Sequence, residues 1–133
     1  MKLAIVGSRT FSYYDLLVET LKSHYLTESG WRFTEIVSGA ARGTDSLAAE
    51  FARVNNIKLT EFLPDWNKFG KSEGFKRNVQ IVDYADEVLA FQVDNSKGTG
   101  HSIELARKQN KPVRIIEIFN TGKERQTERL IPA

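Results

Sequence analysis

The sequence has no cysteine and only two histidines, His24 and His101, among its 133 residues. Without cysteine the chain cannot form disulfides, thiolate metal sites or a cysteine nucleophile. The two histidines lie far apart in the sequence, and neither has a partner at the spacing of metal ligands. The composition therefore predicts neither a metal centre nor thiol chemistry, and we expect no cofactor.

Long apolar runs are also missing. Residues 1–7 contain an apolar core that is too short for a signal peptide. No later run approaches the length of a membrane-spanning helix. We therefore expect a cytoplasmic protein that has no membrane partner.

An excess of one charge is missing as well. The chain has 19 basic and 17 acidic residues, a net charge of +2 at pH 7, and no long basic run. A protein that binds duplex DNA usually has a concentrated basic surface. The charge therefore disfavours a nucleic-acid partner, although a local basic pocket is compatible with it.

The apolar residues, 41% of the chain, suffice for the core of one domain. Short apolar runs alternate with segments whose apolar residues recur at helical spacing, as do Phe75, Val79 and Val82, which are predicted to face the core. The predicted strands are 3–6, 33–37, 57–63, 87–92 and 113–118, and the predicted helices are 15–26, 44–55, 74–84 and one that ends near 110. The fold class is therefore α/β, a Rossmann-like three-layer sandwich with a five-stranded, mainly parallel sheet of order 3-2-1-4-5. We expect one domain over residues 1–119 and a polar tail or short helix over 120–133.

A glycine-containing turn joins the second predicted strand to the second helix. Gly39 and Gly43 let the backbone approach a ligand closely. The helix that begins near Thr44 directs unpaired N–H groups and its positive dipole end to the same place. Arg42 adds a guanidinium suited to a phosphate, so the turn predicts an anion cradle, although many such turns bind nothing. The candidate ligand-binding residues here are Ser38, Gly39, Arg42, Gly43, Thr44 and Asp45.

Two further turns of this kind are expected at the same edge of the sheet. In doubly wound sheets, ligands bind beyond the carboxyl ends of the strands, where the strand order reverses. The turns after the first and fourth predicted strands would meet there, although a hydroxyl at a helix start is often only an N-cap. These turns contribute the candidates Gly7, Ser8, Arg9, Ser96, Gly98 and Thr99.

The remaining candidates are single residues, each with a simpler explanation beside the functional one. Asp45 holds a ribose hydroxyl or only compensates a helix dipole. Trp66, in the irregular segment 64–74, covers a base or only packs its loop. Arg77 and Asn78 open the third helix near the crevice or lie at the surface. Glu104 is a candidate acid or base, although a solvated helix carboxylate is the commoner case.

The motifs occur in one order along nearly the whole chain: Gly7-Ser8-Arg9-x-Phe11, Ser38-Gly39-x-Ala41-Arg42-Gly43-x-Asp45, Asp65-Trp66, Gly70-Lys71, Gly74-x-x-Arg77-Asn78, Ala85-Asp86 and Ser96-x-Gly98-Thr99. Together they resemble the YspA/YpsA-related branch of the SLOG superfamily. The resemblance implies a Rossmann-like, self-associating protein of bacteria or phages that binds nucleotide-derived, ADP-ribose-like ligands. The related Lonely Guy phosphoribohydrolases use an arginine that Arg77 matches, and a glutamate where this chain has Ser102.

Three functions are compatible with these residues. The leading hypothesis is a sensor or sequestering module for a nucleotide-derived small molecule, working as a homo-oligomer. The alternative is a hydrolase that cleaves a nucleotide's N-glycosidic bond, with Arg77 and with Asp45 or Glu104 as catalytic residues. The least favoured is a single-stranded DNA-binding protein, because the net charge is only +2.

Overall fold

The computed structural model describes residues 1–63, 72–120 and 124–131. Helices and short strands alternate along these ranges, as the spacing of apolar residues predicts. In chain order the elements are β1 (Lys2–Gly7), α1 (Tyr14–Tyr25), β2 (Leu26–Thr27), β3 (Gly30–Trp31), β4 (Glu35–Ser38), α2 (Thr44–Val54), β5 (Lys58–Glu61), α3 (Ser72–Tyr84), β6 (Glu87–Val93), α4 (Lys97–Lys108), β7 (Val113–Asn120) and β8 (Glu124–Ile131).

One sheet organises the molecule, with the strand order β5-β4-β1-β6-β7-β8. The five strands from β5 to β7 are parallel to their neighbours, and β8 is antiparallel to β7. The parallel part has the predicted order 3-2-1-4-5, so the Rossmann-like α/β class is confirmed. The short strands β2 and β3, which the sequence analysis does not predict, form a separate hairpin.

Helices cover both faces of the sheet and make the three layers. Along β1, Leu3 and Ile5 belong to the apolar cluster that includes α1 and α2, whereas Ala4 and Val6 belong to the cluster that includes α3 and α4. Alternate residues of a strand point to opposite faces, so a strand buried on both sides has a continuous apolar run. This double burial explains why β1 is visible in the sequence.

Residues 124–131 differ from the predicted polar tail or short helix. Strand β8 pairs with β7 from Val113 opposite Ile131 to Asn120 opposite Glu124. Edge strands often carry charged residues because charge discourages pairing with further strands. The polar sequence of this segment therefore lacks the apolar signal of a buried strand, which is why the prediction for it was wrong.

The buried face of α3 also differs from the prediction. Val82 is fully buried as expected, but Phe75 is 53% exposed and Val79 is 37% exposed. Among residues 74–84 of this helix, the buried ones are Asn78, Ile81 and Val82. The inward stripe therefore includes Asn78, and Val79, one residue further on, is turned by about 100° away from it.

Replacing Gly7 with alanine should destabilise the fold, because a Cβ atom there would lie 2.3 Å from Oγ1 of Thr44 and 2.5 Å from the carbonyl oxygen of Phe91. The expected loss in free energy of unfolding is about 1–3 kcal/mol. Gly100→Ala is the matched control, since its nearest neighbour would be Nε2 of Gln92 at 3.6 Å. In a helix this control should gain about 0.5–1 kcal/mol. Urea denaturation of both variants checks the prediction, which fails if Gly7→Ala is as stable as the wild type.

Candidate functional site

A cavity of about 750 Å³ lies beyond the carboxyl end of β1, where the strand order reverses. Parallel strands with helices on both faces leave a crevice at this point, because neighbouring connections depart to opposite sides of the sheet. The turn after β1, the turn before α2, the start of α4 and the helix α3 all contribute to its walls.

The turn after β1 is held by its own peptide groups. The N–H of Ser8 donates to the carbonyl oxygen of Phe91, 3.0 Å away on β6. The Ser8 carbonyl oxygen in turn accepts from the N–H of Phe11 at 3.2 Å, the N–H of Thr44 at 3.3 Å and the Thr44 hydroxyl at 3.0 Å. The turn is therefore fixed to both β6 and the first turn of α2.

The turn before α2 uses some of its N–H groups internally. Gly43 has a φ of +70°, and a side chain there would lie 2.4 Å from the carbonyl oxygen of Arg9. The N–H of Ala41 donates to Oδ2 of Asp45 at 3.0 Å, and the N–H of Thr44 is bonded to Ser8. Two of the N–H groups of the predicted anion cradle therefore already have acceptors within the protein.

The start of α4 is more open. Gly98 has no heavy atom within 4 Å of the position where a side chain would begin. The N–H of Gly100 donates to the carbonyl oxygen of Ser96 at 3.1 Å, which begins the helical hydrogen-bond pattern. The N–H groups before it have no acceptor within the helix. This end of α4 therefore presents donors and a positive dipole end to the cavity.

Arg77 and Asp45 form the charged part of the cavity wall. Burial raises the pKa of Asp45, and the nearby Ala41 N–H and Arg77 charge act in the opposite direction. Burial lowers the pKa of Arg77, Asp45 raises it, and the positive charge of Arg9 lowers it. An NH1 group of Arg77 also donates to the carbonyl oxygen of Gly39 at 3.1 Å. Arg9 and Arg77 thus both contribute to the lining of one cavity.

An aromatic side chain borders the same cavity. Phe75 makes an edge-to-face contact with His101, with ring centroids 4.8 Å apart. Nδ2 of Asn78 lies 3.2 Å from Nδ1 of His101 and donates to the carbonyl oxygen of Gly98 at 3.4 Å. Burial lowers the pKa of His101. Helices α3 and α4 are therefore joined beside an exposed phenyl ring.

The structure brings most of the predicted ligand-binding residues to this cavity. Those that line it are Gly7, Ser8, Arg9, Asp45, Arg77, Asn78, Ser96, Gly98 and Thr99. The other predicted residues of the central turn lie outside its lining: Ser38, Gly39, Arg42, Gly43 and Thr44. Of these only Arg42 is exposed, and Trp66 falls outside the described residues.

Further residues line the cavity that the sequence patterns did not indicate as ligand-binding: Val6, Thr10, Ala41, Gly74, Phe75, Ile81 and Ser102. Phe75 precedes Asn78 by three positions, so the two share a helix face. That spacing is the signal by which Phe75 could have been found.

Of the two carboxylates named for the hydrolase hypothesis, Asp45 lines the cavity and Glu104 does not. Glu104 is exposed and pairs with Arg107 at 2.9 Å. Ser102 lines the cavity instead, and it is 2% exposed. Two positions along a helix differ by about 200° in direction. Ser102 and Glu104 therefore cannot both face the ligand site.

Residues 1–63, 72–120 and 124–131 contain neither a cluster of metal ligands nor a membrane-spanning helix. In those ranges no three side chains of the metal-ligating acidic, histidine or cysteine types are grouped closely enough to hold an ion. None of the helices there is long and apolar enough to cross a membrane.

Solved structures of DNA-processing proteins share this fold. DNA processing protein A from Helicobacter pylori, whose unique single-stranded DNA binding mode has been described, matches with a TM-score of 0.64 and 26% identity. That match covers 85% of this chain and 63% of the other chain. DNA processing protein A (DprA) from Streptococcus pneumoniae matches with a TM-score of 0.65 and 24% identity, over 84% of this chain and 48% of the other. The chain thus spans less than two thirds of either structure.

These neighbours contradict two of the sequence-based expectations. The hypothesis of a nucleotide sensor or hydrolase was wrong, because the structurally similar DNA processing protein A of H. pylori binds single-stranded DNA. For the same reason, it was wrong to disfavour a nucleic-acid partner. The net charge of +2 is a sum over the whole chain, so it does not report the local charge of one cavity.

Relatives by sequence support the family that the motifs suggest. Gene 61 protein of Mycobacterium phage D29 is 38% identical over 84 residues, which are 59% of this chain and 67% of the phage protein. Residues 1–69 match the model of the YspA, cpYpsA-related SLOG family. This match spans more than half of the 133 residues and includes the turns after β1 and before α2. The chain belongs to the YspA, cpYpsA-related SLOG family.

Proposed function

We propose that this protein binds single-stranded DNA, with backbone phosphates at the cavity beyond β1. The observation that carries the proposal is a single cavity whose lining includes two arginines, Arg9 and Arg77, and the N-terminus of α4. Guanidinium groups and helix N-termini are both common phosphate ligands. The fold is shared with a protein of H. pylori that binds single-stranded DNA.

The local charge supports this proposal better than the net charge does. Arg77 is partly neutralised by Asp45, with which it interacts favourably. Arg9 is exposed and lines the cavity, so a passing strand can reach it. Each phosphate that a single strand places on such a group releases condensed counterions and makes affinity depend on salt. A compact site of this kind can bind phosphate without a basic surface on the rest of the protein.

The exposed ring of Phe75 favours a single strand over a duplex. Its phenyl group lines the cavity and remains 53% exposed despite its contact with His101. Bases of a single strand have free faces that stack on aromatic side chains, whereas duplex bases are already stacked. Phosphate contacts on one side and a stacking surface on the other are the usual combination in single-strand binding.

Three further expectations remain predictions under this proposal. A cytoplasmic location and a bacterial or phage source suit a DNA-binding protein whose relative is a phage protein. Self-association would place several cavities along one strand and raise avidity.

Arg9→Ala should weaken binding of an oligothymidine of about 20 nucleotides by about tenfold, because one charge-assisted phosphate contact is lost. The slope of log affinity against log salt should also become shallower by about 0.7, the value for one phosphate on a single strand. Arg107→Ala is the matched control, since Arg107 is exposed and pairs with Glu104 away from the cavity. Fluorescence anisotropy at several salt concentrations measures both quantities. Equal effects of the two variants would contradict the phosphate contact, and a wild type that does not bind the oligonucleotide would overturn the proposed function.

Phe75→Ala should also weaken binding of the same oligonucleotide, by about fivefold to a hundredfold, since stacking contributes about 1–3 kcal/mol per base. The salt dependence should stay as in the wild type, because no charge changes. Val79→Ala serves as the control, as Val79 is an exposed apolar residue of the same helix, 37% accessible, that does not line the cavity. A change in salt slope, or equal losses in the two variants, would count against a stacking role.

Asp45→Asn should strengthen binding at pH 7, because it removes a negative charge from the cavity wall and frees Arg77 for phosphate. Asparagine can still accept from the Ala41 N–H through its amide oxygen. The pKa of Asp45 is raised by burial, so lowering the pH protonates the wild-type carboxyl before an ordinary aspartate. The advantage of the variant should therefore shrink as the pH falls. Affinity titrations from neutral to acidic pH test this, and an advantage independent of pH would refute it.

A further inference from the structure

Three hydroxyl groups form a row at the wall of the cavity. Oγ of Ser8 lies 2.6 Å from Oγ of Ser96, and Ser96 donates to Oγ1 of Thr99 at 2.9 Å. The row begins at the backbone, where the N–H of Val93 donates to Oγ of Ser8 at 2.9 Å. It joins the turn after β1, the end of β6 and the start of α4.

The direction of the row follows from counting hydrogens. A hydroxyl has one hydrogen to donate and two lone pairs that accept. Since Ser96 donates its hydrogen to Thr99, it cannot also donate to Ser8. Ser8 must therefore donate to Ser96, while it accepts from Val93. All the bonds point the same way, from the backbone of β6 toward Thr99.

The hydrogen of the Thr99 hydroxyl is not donated to another member of the row. Thr99 is 4% exposed and lines the cavity. Within residues 1–63, 72–120 and 124–131, no side-chain or backbone acceptor for this hydroxyl is found. A buried donor that lacks an acceptor costs about 1–3 kcal/mol. An acceptor atom brought by a ligand would remove that cost.

We infer that the Thr99 hydroxyl donates to a phosphate oxygen of the bound strand, and that Ser8 and Ser96 are positioning residues which fix its direction. This inference rests on the proposed DNA binding. An ionised phosphate oxygen only accepts hydrogen bonds, so it suits the end of a row in which every hydroxyl donates forward. Bonds in such a chain also polarise one another and strengthen the last donor.

Ser8 and Ser96, which the sequence predicts to contact the ligand, thereby act on it only indirectly. The hydrogens of Ser8 and Ser96 are already used within the row, so neither hydroxyl has a hydrogen for a phosphate. Their contribution to affinity passes through Thr99. The effects of Ser96 and Thr99 should therefore be coupled rather than independent.

The test measures the affinity of the full chain for an oligothymidine of about 20 nucleotides. Thr99→Val, which removes the hydroxyl, should weaken binding by about tenfold or more, as expected for a hydrogen bond to a charged group. Thr99→Ser, which keeps the hydroxyl, should stay within about threefold of the wild type. Thr20→Val is the matched control, because Thr20 is also a buried helical threonine, and its hydroxyl donates to the carbonyl oxygen of Leu16 away from the cavity.

Ser96→Ala tests whether Ser96 acts through Thr99, because a purely structural role of Ser96 would weaken binding in either background. Alone it should weaken binding by about threefold, and in the Thr99→Val background it should have no further effect. Unchanged affinity of Thr99→Val, or losses that multiply in the double variant, would overturn the inference while the wild type still binds. Failure of the wild type to bind would overturn the proposed function and the inference together. If thermal unfolding shows that Thr99→Val does not fold, Thr99→Ser and Ser96→Ala still decide, since a loss of about tenfold for Thr99→Ser, or an unchanged affinity for Ser96→Ala, would refute the row.

Discussion

The carbonyl oxygen of Ser8 is the contact on which the rest of the site depends. It accepts hydrogen bonds from Phe11 and from both the N–H and the hydroxyl of Thr44. The bonds to Thr44 require the turn after β1 to approach α2 so closely that Gly7 and Gly43 have no room for side chains. Each buried group left unpaired would cost about 1–3 kcal/mol. The first turn of α2 therefore uses its polar groups to stabilise the fold.

The N-termini of α2 and α4 have similar sequences, but they differ in whether their N–H groups already have acceptors. At α2, the N–H groups of Ala41 and Thr44 have acceptors within the protein. At α4, the space around Gly98 is open, and the first N–H groups have no acceptor within the helix. We therefore infer that an anion would bind at the start of α4, in the cavity that Arg9 and Arg77 also line.

The charge at this site depends on the neighbouring side chains and not on the net charge of the chain. Asp45 lies in the first turn of α2, where a carboxylate is usually an exposed partner of the helix dipole. Here it is 8% exposed and lies beside Arg77. Its negative charge offsets the positive charge of Arg77, whereas Arg9 is an exposed cation of the same lining. A count over the whole chain, +2, contains none of this information.

The sequence by itself determined the alternation of elements, the strand order of the parallel sheet and the three turns that meet at the cavity. These features depend on local patterns: the buried strand β1 has a continuous apolar run, and glycines mark the close approaches. The tertiary structure decided which donors of those turns remain for a ligand, because the partners of Ala41 and Thr44 are set by folding. It also decided that Ser102 rather than Glu104 faces the cavity, and that 124–131 is an edge strand. Helix phase and edge pairing are set by contacts between distant segments, which no local pattern encodes.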